Sequence, residues 1–307
     1  MQVAILGSAA GGGFPQWNCA CRNCCSVRKG TFPGKARNQL QVAVSRDGSS
    51  WFLLNASPDL RQQIEAFPAL HPRAVRHTPI AAVILTSSDL DQILGLLLLR
   101  EFQQFRVYAT PAIQRILRED NSIFSALNRV PDQIEWVDIR PRDEFALASC
   151  QGANSGLNCK AVSLPAAYPA FVTEGRAAEL SPSESLLGLI IEDGGKRIAY
   201  FPAVPGINAS LLRELDRADV ILFDGTFWSD DELSMVRGTG PTARQIGHVP
   251  ISGSDGSLEL LAGLSKRRKI FVHVNNTNPI LDESSVEHRA VRTAGWEIAE
   301  DGWQLTL

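Results

Sequence analysis

Short apolar runs that end in polar residues recur along this chain, and the clearest example begins at residue 83. The run VIL at residues 83–85 is short and followed by polar residues, which is typical of a buried strand. From residue 93 to residue 100 leucines are nearly continuous, which predicts a helix packed on several sides. The polar residues between these elements lie at the carboxyl end of a strand, where ligands bind in layered α/β folds. Those candidates are Asp89, Asp91 and Gln92.

Two later strands end in side chains that can bind a metal or transfer a proton. The run VILF ends at Asp224, and the run IFV ends at His273, two residues before Asn275. His248 lies in a glycine-rich loop between them. Strand ends favour function, although a structural interpretation also exists for each residue. Asp91 could cap the following helix, His273 could be a hydrogen-bonded core histidine, and His248 could cap a helix or act as a general acid or base.

Predicted strands and helices alternate along the whole chain, without a linker, an internal repeat or a low-complexity tract. Asp47 and Gly48 between two apolar runs predict a hairpin. Three glycines at residues 11–13 predict a tight turn rather than a nucleotide-binding loop, because no G-x-G-x-x-G leads into a clear helix. A chain of 307 residues suits one large α/β domain or two small ones, and the alternation favours a single domain over residues 1–307.

Charge and hydropathy narrow the set of partners. The net charge of -3 gives no case for a nucleic-acid or acidic-membrane partner. No apolar run reaches about 18 residues, so we expect no membrane insertion. The first residues lead straight into a strand, without the basic and apolar regions of a signal peptide, so we expect a cytoplasmic protein. The sequence does not decide whether the protein forms a homodimer.

Four of the six cysteines are crowded into residues 19–25. Cys19, Cys21 and Cys24 make a C-x-C-x-x-C, a spacing from which three thiolates can reach one ion. The alternative is a set of small buried residues, which the polar Asn and Arg neighbours disfavour. We therefore predict a structural zinc held in an N-terminal loop. Cys25 falls outside the spacing, and the sequence does not settle which of five histidines, if any, completes the site.

Several ordered segments carry a specific family resemblance. They are LGSAAGGGFPQWNC (residues 6–19), LNASPD (54–59), GLLLLRE (95–101), FDGTFW with DDE (223–232) and HVNNTNPILDE (273–283). In these segments the chain resembles the PqqB family, a branch of the metallo-β-lactamase superfamily that acts in the synthesis of pyrroloquinoline quinone (PQQ). The resemblance implies a four-layer αββα sandwich. It also implies a ligand that is either PQQ or its precursor derived from linked Glu and Tyr residues.

The superfamily metal motif is eroded in this chain. His-x-His-x-Asp-His falls on Ser87, Asp89, Asp91 and Gln92, and only Asp91 matches. Members of the resembled family keep Asp-His where this chain has Asp-Gln, and a carboxamide is a poor ligand for iron or zinc. The third superfamily histidine and the bridging aspartate are also missing. We therefore expect no dinuclear hydrolase centre.

Two hypotheses follow for the function. In the first, Asp91 and His273, with Asp89 or Asp224, hold an Fe(II) ion for hydroxylation of the Glu–Tyr intermediate. His248 joins Asp91 and His273 as a catalytic candidate, and cofactor binding is assigned to Asp89, Gln92, Asp224 and Asn275. In the second hypothesis the protein carries PQQ or its precursor towards the periplasm without catalysis. Such a carrier needs cations for the three carboxylates of PQQ, with Arg61, Arg100 and Arg244 as candidates.

Overall fold

The computed structural model describes residues 1–150, 152–264 and 267–307. These residues fall into two compact units, each discontinuous in sequence. The first unit comprises Met1–Leu6, Gln41–Lys196 and Gly302–Leu307, and the second comprises Gly7–Leu40 and Arg197–Asp301. The prediction of a single domain is not tested by this division and stays a prediction.

Fourteen strands are described, consistent with the dense alternation of apolar runs. They are β1 Gln2–Gly7, β2 Gln41–Ser45, β3 Trp51–Leu54, β4 Ile80–Ile84, β5 Phe105–Ala109, β6 Ile134–Asp138, β7 Glu144–Ala148, β8 Asn154–Ser163, β9 Leu187–Asp193, β10 Lys196–Phe201, β11 Val220–Asp224, β12 Arg268–Val272, β13 Trp296–Ile298 and β14 Trp303–Thr306.

The described α-helices are short. They are α1 Arg22–Arg28, α2 Leu60–Ala66, α3 Leu90–Ile93, α4 Pro111–Arg118, α5 Glu174–Glu179, α6 Ala209–Asp216, α7 Glu232–Arg237, α8 Ser257–Leu260 and α9 Val286–Thr293. Turns of 3₁₀ helix occupy Pro68–Leu70, Leu94–Leu99, Ser122–Asn128, Pro182–Glu184, Arg244–Ile246 and Pro279–Leu281. Among the residues that the structure describes, no helix has both the length and the hydrophobicity needed to traverse a bilayer.

The first unit contains a seven-stranded sheet in the order β14-β1-β2-β3-β4-β5-β6. The β14–β1 and β2–β3 pairs are antiparallel, and the pairs from β3 to β6 are parallel. The hairpin predicted at Asp47–Gly48 is confirmed between β2 and β3, with Gly48 at a φ of 71°. Strands β7, β8 and β9 of the same unit form an antiparallel meander.

The prediction that the leucine-rich segment at residues 93–100 is a helix packed on several sides is wrong. Helix α3 ends at Ile93 and a 3₁₀ helix follows, with Leu98 38% exposed. Two contacts explain the change. The Gln92 carbonyl accepts a hydrogen bond from the Ala56 N–H at 2.7 Å, which diverts the acceptor that a continued α-helix needs at that point. A Cβ at Gly95 would also lie 2.3 Å from the Ser57 carbonyl oxygen, so the segment sits directly against this backbone.

The second unit contains four parallel strands in the order β13-β12-β11-β10. Its buried aromatic side chains include Phe271, whose ring stacks on Trp296 at 4.1 Å. Asp224, the last residue of β11, pairs in register with Val272, the last residue of β12. Because parallel strands end at the same sheet edge, Asp224 and the residue after Val272 come side by side. That residue is His273.

Candidate functional site

His273 begins the loop after β12 in an uncommon backbone conformation. Its φ is 57°, in the left-handed region that costs a residue with a Cβ about 1–3 kcal/mol. The surrounding chain fixes this turn: the Val274 N–H donates to the Ser8 carbonyl at 3.0 Å, and the Ala10 N–H donates to the Val274 carbonyl at 2.9 Å. The glycines that follow turn tightly, as the sequence predicts, with the Gly13 N–H donating to the Ala10 carbonyl at 3.1 Å.

Asp224 is fully buried, and its carboxylate is the centre of a hydrogen-bond network. One oxygen, Oδ2, accepts from the Val204 N–H at 2.8 Å and lies 2.8 Å from Nδ1 of His248. The other, Oδ1, accepts from the Thr226 N–H at 3.0 Å and from the Thr226 hydroxyl at 2.6 Å. The same hydroxyl oxygen lies 2.8 Å from Nδ1 of His273. One carboxylate thus orients both histidines, the second through Thr226.

The network assigns the tautomer of each imidazole. An ionised carboxylate only accepts hydrogen bonds, so His248 must donate its Nδ1–H to Asp224. The Thr226 hydroxyl gives its single proton to Asp224, so its oxygen accepts the Nδ1–H of His273. In the neutral form, both rings then carry their lone pair on Nε2. This is the arrangement of histidines in protein metal sites, where a carboxylate or other acceptor holds the opposite nitrogen.

Further contacts fix the two rings relative to each other. The imidazoles of His248 and His273 stack with centroids 5.5 Å apart and an interplanar angle of 20°. Phe227 packs edge-on against His248 at 5.8 Å. The backbone N–H of His248 also donates to the Ala243 carbonyl at 3.0 Å. Asp224, His248 and His273 offer ligand atoms within 4.8 Å of one another, so the structure brings together three of the predicted site residues.

A second cluster contains the three predicted thiol ligands. The sulfur atoms of Cys19, Cys21 and Cys24 lie within 4.8 Å of one another. Cys21 is the N-cap of α1, and its sulfur accepts from the Cys24 N–H at 3.5 Å, while Cys19 accepts from the Cys21 N–H at 3.4 Å. Cys25 points elsewhere, with its sulfur 3.2 Å from the Ala20 carbonyl. The spacing therefore places the three sulfurs together, as the sequence predicts.

The surroundings of the thiol cluster act differently on Cys21 and Cys19. Burial raises the pKa of the Cys21 thiol to about 12. Burial also acts against ionisation of Cys19, but hydrogen bonds from the Cys21 N–H, the neighbouring thiols and the Asn276 amide hold its pKa below the ordinary value. Three thiolates this close repel one another unless a cation lies among them. The cluster therefore suits a divalent metal that binds sulfur.

The polar residues after His273 form an anchored turn. Asn278 donates to the carbonyls of Gly225 and Thr226 at 3.0 and 3.2 Å. The amide of Asn275, a predicted cofactor ligand, donates to the Thr277 hydroxyl at 2.6 Å. That hydroxyl donates to the buried Glu232, whose pKa burial raises to about 7. Sequence reasoning missed Thr226 and Glu232, and only the position of Thr226, two residues after the strand-end Asp224, could have signalled either.

The remaining predicted site residues lie in the first unit. Gln92 is buried, and its side-chain carbonyl lies 2.8 Å from the Thr86 hydroxyl and 3.1 Å from the Ser87 hydroxyl. Asp89 accepts from the Ser87 hydroxyl at 2.7 Å and occupies the N-cap position of α3 without a capping hydrogen bond from its side chain. Asp91 lies in the first turn of that helix and is partly buried. Their predicted site roles stay predictions.

The second unit also contains a cavity of about 520 Å³. Its apolar wall includes Leu233, Val236 and Ile246, and its polar wall includes Asn275 and Arg237. Cys19 and Cys21 also line it. Arg237 is exposed and, within the described part of the chain, has no carboxylate partner. The cavity therefore offers one cation and an apolar surface to a small molecule.

Comparison with known proteins defines the class of this fold. Residues 50–274 match the Beta-lactamase superfamily domain. The crystal structure of Zn²⁺-bound PqqB from Methylobacterium extorquens superimposes with a TM-score of 0.91 at 41% identity, covering all of both chains. A diphosphatase of the PhnP family shares the fold at a TM-score of 0.68 and 19% identity, covering 100% of this chain and 97% of that one. The protein therefore has the metallo-β-lactamase fold, and the predicted fold class is confirmed.

Its nearer relatives narrow the class to one family. Coenzyme PQQ synthesis protein B of Methylobacterium sp. (strain 4-46) is 44% identical over 308 residues, covering all of both chains. The protein of that name from Rhizobium meliloti (strain 1021) is 42% identical, covering 100% of this chain and 98% of the relative. The chain belongs to the coenzyme PQQ synthesis protein B family, which confirms the resemblance found in its sequence.

Proposed function

We propose that this protein acts in the synthesis of PQQ as a metal-dependent enzyme, with His248 and His273 as nitrogen ligands of the reactive metal. The observation that carries this proposal is the Asp224 network, which orients two stacked imidazoles and directs the lone pair of each to Nε2. A protein that only carries a ligand has no need of such an arrangement. Family membership supplies the pathway, and the network supports a catalytic role within it.

The residues of this site fit a divalent iron ion. Neutral imidazole is a common ligand of iron in proteins, and His248 and His273 supply two of them side by side. Here the Asp224 carboxylate already accepts hydrogen bonds from Val204, Thr226 and His248, so its role is to orient the two imidazoles. The separate prediction that Asp224 binds the cofactor itself stays a prediction. The residues that complete the metal coordination stay a prediction.

The reaction we propose is hydroxylation of the phenol ring of a Glu–Tyr intermediate. One atom of O₂ replaces a ring hydrogen as a hydroxyl group, and the other leaves as water with two electrons and two protons from an external reductant such as ascorbate. Bound Fe(II) would supply the O₂-activating chemistry. Asp224 and Thr226 keep both imidazoles in the required tautomer throughout. The buried Glu232, with a pKa of about 7, accepts a hydrogen bond from the Thr277 hydroxyl.

An anaerobic titration with Fe(II), followed by an aerobic assay, tests this proposal. Protein with zinc at the thiol cluster is titrated with Fe(II), then mixed with O₂, ascorbate and Glu–Tyr. We expect Fe(II) uptake and a hydroxylated product, detected by mass spectrometry, that requires both the metal and O₂. An absence of Fe(II) uptake together with an absence of product would remove the enzymatic function.

We also propose that Cys19, Cys21 and Cys24 hold a structural zinc ion. The three sulfurs lie close together and partly buried, and sulfur donors of this kind form closed, structural zinc sites. The similar protein from Methylobacterium extorquens is described as Zn²⁺-bound, which supports zinc as the metal in this family. Metal analysis of the purified protein, alone and with Cys21→Ser, checks this site. We expect one zinc ion fewer in the variant.

The cavity of the second unit supports a second candidate, a binding or carrier protein for PQQ. Two of the arginines considered from the sequence are in ion pairs, Arg244 with Asp255 at 2.7 Å and Arg100 with Glu101 at 3.5 Å. Arg237 lines the cavity instead and could pair with a carboxylate of the quinone. The lining of the cavity includes neither His248 nor His273, so this function is separable from the first.

Calorimetry with PQQ decides on the carrier function. A carrier should bind PQQ much more tightly than millimolar, which corresponds to about -4 kcal/mol. Arg237→Gln should weaken the binding, whereas Arg213→Gln, which removes an exposed arginine of α6, should leave it unchanged. Millimolar or weaker binding by the unaltered protein, or equal binding by both variants, would count against this cavity as a carrier site.

A further inference from the structure

The side-chain amide of Gln92 is bound at one end and without a partner at the other. Gln92 lies in α3 and is only 5% exposed. One terminal atom of its amide lies 2.8 Å from the hydroxyl oxygen of Thr86 and 3.1 Å from that of Ser87, two residues that follow β4. Among the residues that the structure describes, none forms a hydrogen bond with the other terminal atom. A buried amide held in this way can offer its second atom to a ligand.

The single proton of the Ser87 hydroxyl decides which amide atom of Gln92 faces inward. This hydroxyl lies 2.7 Å from a carboxylate oxygen of Asp89, and it accepts from the Asp89 N–H at 3.1 Å. An ionised carboxylate only accepts hydrogen bonds, so Ser87 gives its proton to Asp89. The contact between Ser87 and Gln92 therefore needs a proton from the glutamine. The amide nitrogen can supply that proton, whereas the amide oxygen cannot.

The Thr86 hydroxyl is satisfied by the same arrangement. It accepts from the side-chain amide of Asn55 at 2.9 Å and lies 3.1 Å from the Asn55 side-chain carbonyl oxygen, to which it can donate. Its second lone pair is then available for the other amide proton of Gln92. The oxygen and nitrogen of an amide have nearly the same shape, so their partners decide which is which. Every contact is paired when Nε2 of Gln92 faces inward and Oε1 faces outward.

We infer that Gln92 recognises the substrate by accepting a hydrogen bond at Oε1 from its phenol hydroxyl or its ammonium group. The carboxyl end of a strand is the edge where layered α/β folds bind ligands. The two inward hydrogen bonds fix the amide before a ligand arrives, so little rotamer freedom is lost on binding. The inference rests on the proposed function, because it concerns the same Glu–Tyr substrate. It assigns Gln92 to binding and not to the chemical step.

The charges of this segment favour a donor over a carboxylate. Between residues 83 and 99 the charged residues are Asp89 and Asp91, and both are acidic. An anionic group of the ligand would be repelled by these side chains, whereas an O–H or ammonium group would be attracted. An amide oxygen that faces outward adds an acceptor of the same polarity. The segment therefore suits the donor end of the substrate, and its carboxylates require a cation elsewhere.

Anaerobic calorimetry with Glu–Tyr, with and without Fe(II), tests the inference on Gln92→Met and the control Gln114→Met. Gln114 is a buried glutamine of α4 whose amide donates to Asp138 at 2.7 Å, so the control also removes a buried amide. We expect Gln92→Met to bind Glu–Tyr about tenfold more weakly, because one hydrogen bond to the ligand is lost. Gln114→Met should bind Glu–Tyr as the unaltered protein does. Thermal unfolding confirms that both variants are folded.

Two analogues of the substrate identify the donor. Glu–Phe lacks the phenol hydroxyl, and N-acetyl-Glu–Tyr lacks the ammonium group. The analogue without the recognised donor should bind Gln92→Met and the unaltered protein equally, while the other analogue keeps the tenfold difference. Equal binding of Glu–Phe therefore assigns the phenol, and equal binding of N-acetyl-Glu–Tyr assigns the ammonium group. A full tenfold difference with both analogues would overturn the inference.

The orientation of the amide has its own readout, which requires no ligand. The side-chain amide protons of Gln92 are followed by NMR in protein that contains isotope-labelled glutamine, and their signals are assigned by their absence from Gln92→Met. Both protons should exchange slowly with water, because both are donated inward. Fast exchange would place the nitrogen outward and overturn the inference.

The remaining outcomes separate this inference from the proposed function. Unchanged affinity for Glu–Tyr in Gln92→Met, or no binding of Glu–Tyr by the unaltered protein, would overturn the inference. Loss of Fe(II) from Gln92→Met would also overturn it, because Oε1 would then be a metal ligand. Binding of Glu–Tyr that depends on Gln92, without a hydroxylated product in the aerobic assay, would refute the proposed reaction alone.

Discussion

Replacing Thr226 by valine removes one hydroxyl group from the centre of the imidazole network while keeping the shape of the side chain. The hydroxyl donates to Asp224 at 2.6 Å and accepts from His273 at 2.8 Å. Thr226 is 3% exposed, so water has little access to replace either bond. A hydrogen bond to a charged group contributes about 1.5–3 kcal/mol and an ordinary one about 1 kcal/mol. Because the Thr226 N–H continues to donate to Asp224, we expect a loss of roughly 2 kcal/mol in the free energy of unfolding.

The functional effect should exceed this loss of stability. Without the hydroxyl, Nδ1 of His273 loses the acceptor that fixes its tautomer, so the ring can rotate or carry its proton on Nε2. Loss of such an orienting partner typically weakens metal binding or activity by about 10–100-fold. Thr226→Ser is the matched control, since it keeps the hydroxyl and deletes one methyl group at a cost of about 1 kcal/mol. Metal affinity is measured by anaerobic titration, and stability by urea unfolding.

The comparison between the two variants isolates the hydroxyl. We expect Thr226→Ser to bind the metal nearly as tightly as the unaltered protein and Thr226→Val to bind it at least about tenfold more weakly. Equal metal affinity in the two variants would refute the role of Thr226 in orienting His273. A change in stability alone would show that the network is structural.

Two further predictions concern buried groups. Burial raises the pKa of Glu232 from 4.5 to about 7, so this residue binds a proton more tightly in the folded than in the unfolded protein. The free energy of unfolding should therefore fall by roughly 3 kcal/mol as the pH rises from about 4.5 through 7. Glu232→Gln should remove this part of the pH dependence, and a parallel decline in variant and unaltered protein between pH 5 and pH 8 would contradict the assignment. Gly95→Ala should destabilise the first unit by about 1–3 kcal/mol, because the new Cβ would lie 2.3 Å from the Ser57 carbonyl oxygen. The control Gly175→Ala, whose new Cβ would have no neighbour within 4 Å, should be neutral or slightly stabilising in thermal unfolding. Similar melting temperatures for the two variants would show that the backbone of residues 56–57 moves aside at little cost.

The sequence could predict which residues end strands but not which strands are neighbours. Asp224 and His273 each follow an apolar run, which marks them as candidates. Their proximity depends on the parallel pairing of β11 with β12, a contact between distant parts of the chain. The pairing of Asp224 with His248 likewise joins residues 24 positions apart through a glycine-rich loop that carries no periodic signal. The sequence alone therefore could not reveal that Asp224 orients the two histidines.

The residues that sequence reasoning missed look ordinary in one dimension. Thr226 follows Asp-Gly as any turn residue could, and Glu232 is one of several polar residues in a row. The leucine run shows the opposite failure, in which a strong local pattern gave the wrong element. A hydrogen bond from Ala56 to the Gln92 carbonyl, set by another segment, ends the α-helix early. The cysteine spacing succeeded because its chemistry is local, within a single loop and turn.

The most direct test of the paired-imidazole site is the number of divalent metal ions that the protein retains. The unaltered protein is compared with the His248→Ala, His273→Ala double variant, after zinc loading of the thiol cluster and anaerobic equilibration with Fe(II). The imidazole site predicts zinc plus iron in the unaltered protein, and zinc with little or no iron in the double variant. Equal iron content in both proteins, with zinc retained, would contradict the claim that these two imidazoles hold the reactive metal.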